Sequence, residues 1–231
     1  MIGSQDWEEY YANLDSAPSP RVFNSHLPLD LLPASLLTGR VVFVGRGVRD
    51  AAVSYYHHNR LLKAHNYTGD FPTFASLYRR ALLPFGSYWT QLEKFWPLRS
   101  HPRVRITWYE ELVADRKGET ERIAAFLGKE ITKEEVEKVS NFLQVDSYRA
   151  ACQLGNRHER IVFRLKDQPF FRDNWNPGEG HFVRKGVVGD SVSYFDPQER
   201  QDWDRWAAEN LAKLGIKEDR VLKIFSDNAD V

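Results

Sequence analysis

"RVVFVGRGVRDAAVSYYHHNRLLKAH", residues 40–65, changes periodicity halfway, with two glycines at the change. Val41 to Val44 is a short, wholly apolar run, the pattern of a strand buried on both faces. Gly45 and Gly47 flank Arg46 at the strand's end. Asp50 then stands near the start of a helix predicted to continue to about Ala64. Strand, glycine turn and helix make the first half of a crossover unit.

The chain on either side extends this alternation. "GSYWTQLEKFWPL" (86–98) fits an amphipathic helix ending before Pro97, and "RVRITWYEEL" (103–112) a second strand running into an acidic turn. "GETERIAAFLG" (118–128) reads as a helix that Gly128 ends, and Thr132 with Glu135 is a capping box opening the next one. A last helix is marked by Asp196 as cap, Pro197 at its first position, Glu199 at its third and Gly215 beyond its end. These elements predict an α/β domain: a parallel sheet flanked by helices, whose ligand crevice lies beyond the carboxyl ends of the strands, where Arg46 stands. Residues 1–20, with Trp7, Tyr10 and Tyr11, read as a packed irregular approach. Between Ala150 and His181 the periodicity fades into a long loop or lid. No repeat or boundary divides the chain, so residues 1–231 are expected to form a single domain.

Composition sets outer limits. With 231 residues, 42% of them hydrophobic, the chain can bury a sizeable core. Lys plus Arg and Asp plus Glu balance at 32 each, so no global field draws it to nucleic acid or an anionic membrane, and any anion site must be local. A single cysteine, Cys152, cannot make an internal disulfide, and no basic stretch followed by an apolar run suggests a signal peptide. The longest apolar pieces are too short for a membrane span. A cytoplasmic protein is the expectation.

Two stretches could hold an anion. A phosphate at the helix start after Arg46 would meet main-chain N–H groups, the positive end of the helix dipole, the guanidinium and the Ser54 hydroxyl. The plainer alternative pairs Arg46 with Asp50 and leaves Ser54 to solvent. "RKGVVGD" (184–190) sets Arg184 and Lys185 beside glycines that let the backbone approach a ligand closely. It reads equally well as an ordinary basic turn, held by Asp190 bonding its own backbone. His57, His58 and His65 fit a metal badly, because the first two point different ways on a helix and no carboxylate has ligand spacing. The aromatic residues, seven tryptophans among them, read as core. His26, in "SPRVFNSHLP" (19–28), is open to three readings: core, surface or base.

Taken in order, "SPRVFNSHLP", "VGRGVRDAAVSYYHH", "WYEEL" and "FVRKGVVGD" resemble the cytosolic sulfotransferases. The resemblance implies a P-loop-like parallel sheet of sulfotransferase type. It implies transfer of a sulfuryl group from 3′-phosphoadenosine 5′-phosphosulfate, as co-substrate and without a metal, to a hydroxyl or amine of a small molecule such as a phenol, steroid or alcohol. By it His26 is the base that takes the acceptor's proton. Arg46 and Ser54 hold the 3′-phosphate with Arg184, Lys185 and Gly186. Tyr109 meets the adenine, and "VDSYR" places Ser147 and Tyr148 on the adenine side.

The sequence also departs from that family. Its phosphate-cradling loop, similar to Pro-Lys-Ser-Gly-Thr-Thr-Trp, has no counterpart: only Gly3 precedes Gly39, and no lysine precedes Lys63. Asn24 stands where a second lysine is common. The expectation is therefore a chain that starts after the family's first central strand, either incomplete or degenerate. Its alternative function is a pseudoenzyme that holds adenosine 3′,5′-bisphosphate, or an acceptor-like ligand, without transferring sulfate. The family's dimer motif is not kept, since Val192, Asp196 and Pro197 stand at its lysine, threonine and valine.

Overall fold

A computed structural model describes residue 16, residues 18–153, residue 176 and residues 178–226. The stretch with Trp7, Tyr10 and Tyr11, and most of the predicted long loop, lie outside the described residues. Strand β1 (Val41–Gly45) pairs in parallel with β2 (Val104–Trp108), in register from Val41 opposite Val104 to Gly45 opposite Trp108. Between them run helices α1 (Val48–Leu61), α2 (Phe71–Arg79) and α3 (Tyr88–Phe95), which make the crossover that parallel pairing requires. After β2 come α4 (Tyr109–Ala114), α5 (Arg116–Phe126), α6 (Lys133–Phe142) and α7 (Val145–Gln153). A 3₁₀ turn at Asp190–Ser193 leads to α8 (Pro197–Lys213) and α9 (Asp219–Ile224).

The strands' alternation sorts their side chains between two layers. Phe43, Ile106 and Trp108 face the main core, where Phe43 stacks on Phe95 at 4.6 Å and Trp108 is fully buried with Phe74, Leu92 and Val221. On the opposite face Arg105 and Thr107 meet α5: the Glu119 carboxylate, 4% exposed, accepts from Arg105 at 2.9 Å, from Arg122 at 2.5 Å and from Thr107 at 3.3 Å. Helices thus flank both faces. Yet β1 is not buried on both, as its apolar run predicts. Val44 is 57% exposed, whereas Thr107, opposite it on β2, is fully buried.

Other boundaries also moved. Helix α1 stops at Leu61 rather than near Ala64, because Asn176 takes over its last carbonyls, its N–H bonding Leu61 O at 2.8 Å and its Nδ2 bonding Arg60 O at 2.6 Å. The segment after β2 is helix α4 instead of a turn, with Glu110 and Glu111 in the first turn, where the helix dipole favours carboxylates. The capping boxes at Thr132 and Asp196 are formed as read. Helices α2, α7 and α9 were not expected from the sequence. Among the described residues no helix is long and apolar enough to cross a membrane.

Candidate nucleotide and acceptor site

The turn after β1 is fixed before any ligand arrives. Gly47 N–H donates to the buried Glu110 Oε1 at 2.8 Å, and the Tyr88 hydroxyl donates to Arg46 O at 2.7 Å. A side chain at Gly45 would run into the Trp108 ring, 2.5 Å from its Cβ. Held this way, Arg46 projects over the Tyr109 ring, its guanidinium carbon 4.3 Å from the ring centroid, and donates to Asp50 Oδ2 at 3.0 Å and to Val187 O at 2.9 Å. Asp50 in turn accepts from the N–H groups of Gly189 at 2.8 Å and Ser191 at 2.9 Å. Burial pushes its carboxyl up, but those N–H groups and Arg46 outweigh it and hold the pKa below the usual 3.8. Asp50 therefore anchors the 184–190 loop, the role the sequence suggested for Asp190. Asp190 instead pairs with the side chains of Arg184 and Lys185.

The loop rests on α7 from the other side. Arg149 donates to Val183 O at 2.9 Å and to Arg184 O, while Val145 Cγ2 lies 2.3 Å from where a Cβ on Gly186 would be. Gly186 has φ +66°, which glycine adopts without strain. The result is a cavity of about 240 Å³ lined by Arg46, Ser54, Tyr109, Arg184, Lys185 and Gly186, all marked in the sequence. His57, His58, Glu179 and Phe182 line it too. Arg46 pairs with Asp50 and Ser54 is exposed, as the plainer alternative has it, and both border the same cavity.

Ser147 and Tyr148 are not in that lining. On α7 Ser147 is exposed and Tyr148 is half-buried against Phe142 at 5.8 Å. From α7, Val145 and Arg149 reach the loop, and Arg149 carries no signal in the sequence beyond its place in "VDSYR".

Histidines also line the cavity. His57 shares a 2.6 Å hydrogen bond with the Tyr194 hydroxyl and is pushed down to about 4 by burial, then by Arg184, so it is neutral at pH 7. His58 is likewise pushed down to about 4, by burial and then by His65 and His26, and its buried Nδ1 has no partner among the described residues. His26 lies outside the cavity lining. It is exposed as a residue, with its ring against Phe85 at 4.9 Å and its carbonyl accepting from Gln91 at 3.1 Å; loss of water on the covered side holds its pKa below 6.5. Phe85 stacks on Tyr55 and also meets His65, so His26, His58 and His65 share one aromatic wall. Chemically, the cavity offers three cations and an aromatic face together with two neutral imidazoles, His57 and His58.

Sulfotransferase 1A1 of Rattus norvegicus is 27% identical over 206 residues, covering 88% of this chain and 67% of its own length. Luciferin sulfotransferase of Photinus pyralis is 27% identical over 233 residues, covering 97% of this chain and 60% of its own. The chain spans 60 to 67% of the length of these relatives. Among solved structures, retinol dehydratase in complex with androsterone and inactive cofactor PAP superposes with a TM-score of 0.75 at 26% identity, over 95% of this chain and 69% of that one. A mouse sulfotransferase complexed with PAP shares the fold at a TM-score of 0.74 and 22% identity, over 92% of this chain and 71% of that one. The sulfotransferase domain model matches residues 2–215. That match takes in both strands, the cavity and the helix that closes the core, and by it the chain belongs to the sulfotransferase family.

Proposed function

We propose that the cavity binds 3′-phosphoadenosine 5′-phosphosulfate by its 3′-phosphate and adenine, and that the chain serves transfer of the sulfuryl group to a small-molecule hydroxyl such as a phenol, steroid or alcohol. One observation carries the reading. Arg46 and Ser54, Tyr109, and Arg184 to Gly186 come from three distant stretches and border a single cavity. Arg46 and Arg184 supply guanidinium forks and Lys185 an ammonium for the phosphate oxygens, Ser54 supplies a hydroxyl, and Tyr109 offers its ring to the base. Ser147 and Tyr148 stay on the adenine side of this assignment only through the loop that α7 supports.

His26 is the proposed base. A neutral imidazole takes the proton as the acceptor oxygen bonds to sulfur; the bond from sulfur to the 5′-phosphate oxygen breaks, and its electron pair leaves with that oxygen. A pKa below 6.5 keeps the ring in the accepting form at neutral pH. The aromatic wall beside it suits an apolar acceptor, in keeping with the androsterone and retinol held by the solved relatives.

The second reading is binding without transfer. It is favoured by the position of His26, which lies outside the lining of the cavity proposed to hold the nucleotide. Two assays on the full chain separate the cases. Adenosine 3′,5′-bisphosphate should raise the melting temperature more than adenosine 5′-monophosphate at matched ionic strength; equal shifts would sink the 3′-phosphate assignment. Transfer of labelled sulfate to a panel of phenols, steroids and alcohols then supports the enzyme, whereas nucleotide binding with no transfer supports the binding module.

A further inference from the structure

Of the three carboxylates that line the cavity, Glu179 pairs with Arg60, and Asp50 and Asp190 are bonded differently from one another. Asp50 spends its oxygens on the main-chain N–H groups of Gly189 and Ser191 as well as on Arg46, so moving it would strand buried donors. Asp190, whose side chain is only 6% exposed, has Arg184 and Lys185 as its bonded side-chain partners, the latter at 2.6 Å. It begins the 3₁₀ turn directly after Gly189, which has φ +82°. A phosphate oxygen could satisfy both cations equally well, and nothing in the main chain would lose a bond.

We propose that Asp190 is an internal counterion that an incoming phosphate must displace, and that it thereby sets the affinity and salt sensitivity of the cavity for phosphate monoesters. The proposal rests on the reading of this cavity as a phosphate site and adds the residue that regulates it. Arg46, Arg184 and Lys185 bring three positive charges; Asp50 and Asp190 cancel two of them. With Asp190 seated, a dianionic phosphate meets a carboxylate at the point where its own oxygens belong. Binding therefore draws on the fraction of molecules in which Asp190 has swung away, and apparent affinity falls by that fraction. The paired state also leaves few solution counterions to release, so salt weakens binding less than three bare cations would suggest.

Asp190→Asn keeps the side chain's shape and removes its charge. In titration calorimetry with inorganic pyrophosphate and with adenosine 3′,5′-bisphosphate, the variant should bind both about tenfold more tightly than the native protein, with a steeper loss of affinity as KCl rises. Asp190→Glu should bind as the native protein does. Equal or weaker binding by a folded Asp190→Asn protein overturns the proposal. Should that variant not fold, the native protein still decides: the ¹³C resonance of the Asp190 carboxyl must move when pyrophosphate saturates the site, and a stationary signal overturns it. Tightened pyrophosphate binding without nucleotide binding supports the counterion and sinks the nucleotide reading. Nucleotide binding that Asp190→Asn leaves unchanged sinks the counterion and leaves the nucleotide reading standing.

Discussion

Arg46 makes three contacts from one guanidinium: Asp50, Val187 O and the Tyr109 ring. Arg46→Ala should abolish the preference for adenosine 3′,5′-bisphosphate over adenosine 5′-monophosphate in thermal shift, with an affinity loss of about tenfold or more, as charge-assisted hydrogen bonds are worth about 1.5–3 kcal/mol. A variant that keeps the full preference would take Arg46 out of the site. Asp50 makes a pH prediction. Its pKa in the folded protein lies below 3.8, so its contribution to stability is present in full above that value and is lost as pH falls through the lowered one. The stability gap between the native protein and Asp50→Asn should be constant near neutral pH and close in acid; a gap that persists at the acid end would contradict the assignment. The cavity's three cations were legible because positive charges beside glycines and at a β-strand end announce themselves locally. The anchoring role of Asp50 was not, since it depends on N–H groups 139 and 141 residues away, and for Asp190 local spacing did not tell a bond to its own backbone from the pairing with Arg184 and Lys185 that the structure has.

At the level of elements, helix starts were the most legible feature because their signals lie within four residues. Asp196 accepts from Glu199 N–H at 2.8 Å and Glu199 returns the bond to Asp196 N–H at 3.0 Å. Asp196→Ala should cost about 1 kcal/mol, which lowers the melting temperature by roughly 2–4 °C in a domain of this size; calorimetry would show it, and an unchanged melting point would argue that α8 is held by its packing alone. The loop of Arg184 and Lys185 is a stricter case. Gly186→Ala meets both a left-handed backbone and Val145, so it should lower stability by about 1–3 kcal/mol and weaken adenosine 3′,5′-bisphosphate binding as well. Where helices end, and which strand face is covered, was less legible. Leu61 ends α1 because Asn176 caps it from afar, and Val44 is exposed while Thr107, its neighbour in register, is buried. Periodicity alone carries neither fact.

For the molecule as a whole, the site joins parts of the chain that are far apart in sequence. Arg46 bonds a carbonyl 141 residues away and Asp50 an N–H 139 away, whereas the β1 turn is pinned through Glu110 only 63 residues on. The main core spans α1 to α3 and α8, and Phe74→Ala within it should cost about 3–5 kcal/mol and lower the denaturant midpoint sharply; a loss below 1 kcal/mol would mean that the surrounding rings close over the gap. The long reach of the Arg46 and Asp50 bonds bears on the order of events in folding. Closing so long a span costs chain entropy before its bonds reward it, so these contacts should form after the rate-limiting barrier has been crossed. Saturating adenosine 3′,5′-bisphosphate should then slow unfolding by nearly its whole stabilising effect and leave the refolding rate unchanged in stopped-flow experiments. Refolding that accelerates with nucleotide would instead place the Arg46 and Asp50 junction in the folding nucleus.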